Sequence, residues 1–161
     1  MNVRVLLGHP VAEGLEEEGK GCHMADLKAT LGRMFDEVIN QGRIEVAEQL
    51  FADDFVSHGP MGEIKGREAF EGLVGQWRSA VPDVHCTVEN VVVEGDLAGW
   101  VVRTTGTHTG DGLGFPATGK PFETVSANMG RFRDGIAVEH WSEQGMLAML
   151  MQIGLMPPMG A

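Results

Sequence analysis

The chain has no tyrosine, only two cysteines, and 12 basic residues against 23 acidic ones in a length of 161. Without tyrosine there is no phenolic hydroxyl, which excludes any mechanism built on a phenolic donor. Cys22 and Cys86 lie far apart and no CxxC spacing occurs, so neither a thiolate metal site nor a dithiol redox motif is supported. The shortage of basic residues leaves a formal charge of −11 at pH 7. A domain that grips a phosphate backbone should be basic, so no nucleic-acid partner is expected. No apolar run approaches the roughly 18 residues of a membrane span, and no membrane partner is expected. The N-terminal patch VRVLLG carries one Arg and is too short for a signal peptide, which points to a cytoplasmic protein. The six histidines are scattered, with no HxH or HxxxH spacing, so no metal is expected. Gly110–Gly119 is rich in glycine but lacks the GxGxxG order and the Lys-Ser/Thr ending of a phosphate cradle, so no cofactor is expected either.

What is present reads as one soluble globular domain: 43% hydrophobic and 22% charged residues suit a packed core. Residues 1–23, with four glycines and the run Glu16-Glu17-Glu18, lack periodicity and read as a mobile extension; 24–161 read as the single domain. Leu27, Leu31, Met34, Phe35 and Val38 recur at helical spacing, with Asp26 as a plausible N-cap and Gly42 as a stop. A second short helix is expected around Ala47, Leu50 and Phe51, ended by Asp53-Asp54. Phe55 to His58 reads as a short strand, and a third helix after Gly66 carries the stripe Phe70, Leu73, Val74, Trp77 up to Pro82. Beyond Pro82 the period changes. Strands are expected over 84–93, 97–109, 121–133 and 136–142, with turns at Glu94-Gly95-Asp96 and Asp134-Gly135. A last helix spans Gly145 to Ile153. Helices first and a run of hairpin-linked strands afterwards predict an α+β fold: an antiparallel sheet covered by three N-terminal helices, with a closing C-terminal helix.

The order FADDFVSH, GREAF, the EGD hairpin, GTHTG, GFPATGK, the RDG hairpin, VEHW and QIG resembles the SnoaL-like polyketide cyclases over about residues 26–156. These belong to the nuclear transport factor 2-like superfamily, with ketosteroid isomerase and limonene epoxide hydrolase as distant relatives. The resemblance implies a curved sheet and helices forming a cone-shaped α+β barrel around a hydrophobic cavity, and a homodimer formed through the open sheet face. It places the family's catalytic acid at Ser142 and its histidine at Asn128. A serine cannot act as a carboxylate base, and an amide does not titrate near neutral pH. The missing tyrosine argues against the isomerase branch.

Strand parity selects residues independently. Val138, His140 and Ser142 share one face of the last strand, and Ser126 and Asn128 share one face of the strand before it. If these faces meet in the cavity, His140, Asn128 and Ser142 are the candidate catalytic residues, with His140 as the titrating group. Ser126, His58, Trp77, Trp141 and Met146 are the candidate substrate-binding residues. Met146, Met149, Met151, Met156 and Met159 make the C-terminal helix an adaptable apolar cover. Two functions follow. One is acid–base catalysis, of cyclase or isomerase type, on a polyketide-, steroid- or terpenoid-like molecule; the other is binding of such a molecule without reaction. A carboxylate within reach of His140 favours the first, and an all-neutral pocket the second.

Overall fold

A computed structural model describes residues 24–60 and 62–157. The expected N-terminal extension, Cys22 and Met159 lie outside these residues. Helix α1 (Met24–Arg33) runs straight into a π-helical segment (Met34–Asn40), followed by a 3₁₀ helix (Ile44–Gln49). The chain then forms β1 (Phe51–Gly59), β2 (Gly62–Lys65), α2 (Arg67–Ala80), β3 (His85–Glu94), β4 (Leu97–Thr107), β5 (Pro121–Arg133), β6 (Ile136–Glu143) and α3 (Met146–Gln152). The six strands make one sheet in the order β2-β1-β6-β5-β4-β3. Four of its pairings are antiparallel, while β1 and β6 run parallel, with Ser57 opposite His140. The sheet curves without closing, as an α+β cone.

The apolar stripe of the first helix is buried as its spacing requires: Leu27, Leu31 and Val38 are fully buried and Met34 nearly so. Each such side chain contributes about 1.5–3 kcal/mol over an exposed one. Asp26 lies within the first turn of α1 rather than capping it. Asn40 docks this layer onto β3: its Nδ2 donates to the Cys86 carbonyl at 2.9 Å, and its Oδ1 accepts from the Cys86 N–H at 2.7 Å. One amide side chain thus pairs with β3 as a strand residue would.

Two expectations are corrected here. The second helix is a 3₁₀ helix of six residues that ends at Gln49, and Phe51, Asp53 and Asp54 belong to β1. Phe51 and Phe55 turn inward and pack edge-on at 5.0 Å, both against Phe70 of α2, whereas Asp53 and Asp54 turn outward. Leu50-Phe51 satisfies helical and strand spacing equally, and packing onto Phe70 settles it. The short strand β2, which carries no alternation that marks it in advance, pairs with the end of β1.

The turns read from glycine form as expected. Asp134 and Gly135 have φ of +52° and +81°, the left-handed pair a two-residue hairpin needs, and Gly95 opens the β3–β4 turn at +60°. In the loop after β4, Gly110 and Gly112 meet the α2 backbone so closely that a Cβ would lie 2.0 Å from the Ser79 carbonyl oxygen and 2.1 Å from that of Gln76. Those glycines permit the contact that brings Leu113 over the sheet.

Candidate functional site

The concave face of the sheet, α2, the π-helical segment and α3 enclose a pocket of about 380 Å³. Alternation decides which strand residues reach it. From β4 come Trp100, Val102 and Thr104; from β5, Thr124, Ser126 and Asn128; from β6, His140 and Ser142; and from β1, Ser57. Helix α2 contributes Phe70, Leu73, Val74 and Trp77, and the C-terminal helix Met146 and Met149. Among the described residues, none of the lining side chains is an aspartate, glutamate, lysine or arginine. The polar groups gather on the β5–β6–β1 wall, opposite an apolar helical wall.

His140 lies at the centre of that polar wall. Its Nδ1 is 3.2 Å from the Ser57 hydroxyl, and its Nε2 is 3.3 Å from Asn128 Oδ1. The Asn128 amide nitrogen in turn donates to the Ser126 hydroxyl at 3.1 Å and to the Ser126 carbonyl at 3.4 Å. The imidazole stacks on the Trp100 indole, with centroids 5.6 Å apart and planes 14° from parallel. Gly130, opposite His140 in the β5–β6 pairing, makes room for that indole: a Cβ there would stand 2.9 Å from Trp100 Cη2. Burial among these groups, and secondarily the charge of His58, pushes the His140 pKa down from 6.5 to about 4. At pH 7 the imidazole is neutral. Cys86 of β3, elsewhere in the lining, has its thiol pKa raised by burial and contacts the Thr104 hydroxyl at 3.4 Å. A thiol in that state is a poor nucleophile.

Of the candidate residues, His140, Asn128, Ser142, Ser126, Trp77 and Met146 all border this one pocket. His58 and Trp141 do not. One residue out of phase with Ser57 and His140, they lie on the convex face of the sheet, so neither reaches the pocket mouth. There the two rings stack at 5.4 Å and 16°, and His58 bridges Glu139 at 3.0 Å and Glu63 at 3.2 Å. Arg131 of the same face bonds Asp96 at 2.9 Å, and Arg103 bonds Glu89 and Glu123, so the acidic residues of this region serve surface ion pairs. Among the described residues, no carboxylate is a hydrogen-bond partner of His140.

Ser57 was not legible as a site residue from its neighbours in sequence, where His58 draws the eye. The signal was its phase: it lies two residues from Phe55, which is fully buried. Trp100 and Thr124 carry the same kind of signal on their strands. His108 is fully buried outside the pocket. Its ring meets the Thr118 hydroxyl at 3.3 Å, and its backbone pairs with Thr118, Gly119 and Lys120, which holds the glycine loop closed. Among the described residues, no group of three or more His, Cys, Asp or Glu side chains converges as metal ligands would. No helix of the described residues is long and apolar enough to cross a membrane.

An open cone of six strands, its concave face wrapped by helices around a pocket, is the nuclear transport factor 2-like architecture. Within it the particular family is clear: the model for the SnoaL-like polyketide cyclases matches residues 29–153, and the chain belongs to that family. Among solved structures it is similar to IdmH from Streptomyces antibioticus, described as a candidate polyketide cyclase, with 33% identity and a TM-score of 0.71 over 82% of this chain and 99% of that one. It is also similar to TsrD from Streptomyces laurentii, with 25% identity and a TM-score of 0.76 over 83% and 98% of the two chains. A SnoaL-like protein from Jannaschia sp. CCS1 shares the fold at 24% identity and a TM-score of 0.76, over 89% and 100%. Among curated proteins, none matches this sequence.

Proposed function

We propose that this chain binds an uncharged, largely apolar small molecule, of polyketide-, steroid- or terpenoid-like shape, in the pocket beneath α2. The observation that carries this reading is the absence of any charged side chain among the described residues of the lining. An ionised ligand placed there would lose its hydration and find no counter-charge, at a penalty of several kcal/mol. A neutral polycyclic skeleton would bury against Phe70, Trp77, Val102 and Met149 and lose little. An all-neutral pocket is also what the binding reading called for, since the carboxylate that would have favoured catalysis is not beside His140.

A second reading is supported by one feature of the same wall. His140 is neutral at pH 7 and faces the Ser57 hydroxyl with Nδ1 and Asn128 Oδ1 with Nε2, so it can accept a proton relayed through Ser57. In this reading Ser57 Oγ takes a proton from the carbon next to a carbonyl as its own proton passes to His140 Nδ1, with Asn128 orienting the ring, in a reaction of cyclase or isomerase type. A homodimer joined through the convex face accords with Val92, Val125 and Met129, which are 70%, 49% and 42% exposed there.

A thermal-shift screen tests the primary reading. Uncharged polycyclic ketones and hydroxysteroids raise the unfolding temperature with concentration, because a ligand of the native state stabilises by mass action. Carboxylated analogues of the same skeletons do not. Equal stabilisation by the charged analogues, or none by either set, overturns the reading. Turnover of a stabilising ligand by the wild type, lost in His140→Gln, would establish the second.

A further inference from the structure

We infer that the ligand of this pocket carries a hydroxyl group (an alcohol, phenol or enol) and donates its proton to Ser57 Oγ, which is held in the pocket as a pure acceptor. The inference deepens the binding reading above and rests on it. The direction of every hydrogen bond on the polar wall follows from one atom. The backbone carbonyl of Ser126 can only accept, so the Asn128 group 3.4 Å from it is the amide nitrogen. That turns Asn128 Oδ1, also only an acceptor, toward His140 Nε2 at 3.3 Å, so Nε2 carries the hydrogen. A neutral imidazole has one N–H, which leaves Nδ1 with a lone pair. The Ser57 hydroxyl 3.2 Å away must therefore donate to it.

The consequence is a serine that has given up its only proton. Both lone pairs of Ser57 Oγ remain, and Ser57 borders the pocket while being only 6% exposed overall. Among the described pocket hydroxyls, Thr124 and Ser142 make no hydrogen bond that fixes their protons, that of Thr104 can donate to or accept from the Cys86 thiol, and that of Ser126 accepts from Asn128 and stays free to donate. These can turn to suit a donor or an acceptor; Ser57 cannot. A ligand ketone or ether set against it would place lone pair against lone pair, whereas a ligand hydroxyl completes the chain from ligand to Ser57, His140 and Asn128. Ser57 is thus a specificity-determining residue, and His140 and Asn128 are positioning residues that fix its polarity.

A matched pair of probes tests this: 2-naphthol and 2-methoxynaphthalene, which differ in the hydroxyl hydrogen, titrated calorimetrically into wild type and three variants. The wild type should bind the naphthol about tenfold more tightly than the ether, the difference of one buried hydrogen bond. Ser57→Ala should bind both within about twofold, and Ser57→Thr, which keeps the hydroxyl, should retain the preference. His140→Phe frees the Ser57 proton, so affinity for the ether should rise relative to the naphthol, an effect that simple loss of a wall contact would not produce. Thermal unfolding confirms that each variant is folded. Equal binding of the two probes by the wild type, or a preference that survives in folded Ser57→Ala, overturns the hydroxyl inference and leaves the binding reading standing. Failure of both probes to bind the wild type overturns the binding reading, and the inference with it.

Discussion

Trp100 and His140, from strands that are not neighbours in the sheet, lie face to face with ring centroids 5.6 Å apart and planes 14° from parallel. The indole covers one face of the imidazole, excludes water from it, and keeps the ring neutral. The neutral state of His140 depends on that burial.

The first prediction concerns pH. The folded-state pKa of His140 falls from 6.5 to about 4, chiefly through burial, so on acidification the unfolded chain takes up this proton first. Stability contributed by the neutral ring is full above about pH 6.5 and is lost as the pH falls toward about 4, by at most about 3 kcal/mol. His140→Gln should remove this component. Urea unfolding of both proteins at about pH 7 and about pH 5 measures it; a parallel fall in the two proteins refutes the assignment to His140.

Placing a carboxylate at Ser142 should show how hostile the pocket is to charge. Ser142 is 6% exposed on a wall with no cationic side chain among the described residues. Ser142→Asp is expected to destabilise the protein by about 2–4 kcal/mol at neutral pH, and by less once the new carboxyl is protonated. The same substitution should raise the pKa of His140, its neighbour on that face, through opposite charge. Imidazole NMR titration reads the second effect and denaturant unfolding the first.

The glycine loop supplies a paired test. Gly112→Ala would drive a Cβ to 2.1 Å from the Gln76 carbonyl oxygen, backbone that cannot swing away, whereas Gly75 on α2 has nothing within 4 Å of its Cβ position. Gly112→Ala should therefore cost about 1–3 kcal/mol and shift Leu113 off the pocket. Gly75→Ala should stabilise α2 by roughly 0.5–1 kcal/mol. Thermal unfolding of the two single variants compares them directly.

Phe55 is the anchor of the inner face of β1, fully buried and packed against both Phe51 and Phe70. Phe55→Ala should cost about 3–5 kcal/mol, more than any substitution on the polar wall that leaves no unpaired charge. It should also loosen Ser57, two residues on, so loss of ligand affinity is expected beyond what unfolding accounts for. Equilibrium unfolding and binding at a temperature where the variant stays folded separate the two effects.

Much of this architecture is legible along the chain because it is local. The stripe of α2 and the Asp134-Gly135 hairpin need only the side-chain period and the left-handed freedom of their turn residues. The inward face of β5 and β6 also follows from parity, which is how Ser126, Asn128, His140 and Ser142 could be grouped without coordinates. The same parity, applied consistently, puts His58 and Trp141 on the outside, where the structure has them. Leu50-Phe51 shows where local reading stops, since its spacing suits two structures and a contact with Phe70 decides between them.

The amino-acid order therefore established the family, the α+β class, the run of hairpins and the set of polar residues that share a strand face, because these depend on periods of two and 3.6 and on a few turn residues. The tertiary structure alone set Ser57 against His140, 83 positions apart and joined by a parallel pairing between β1 and β6. It alone slid Trp100 over the imidazole and left the described residues of the lining without charge. Burial and hydrogen-bond direction are properties of surroundings, so the state of His140 as a neutral ring with a lone pair on Nδ1 arises only when strands distant in sequence close around it.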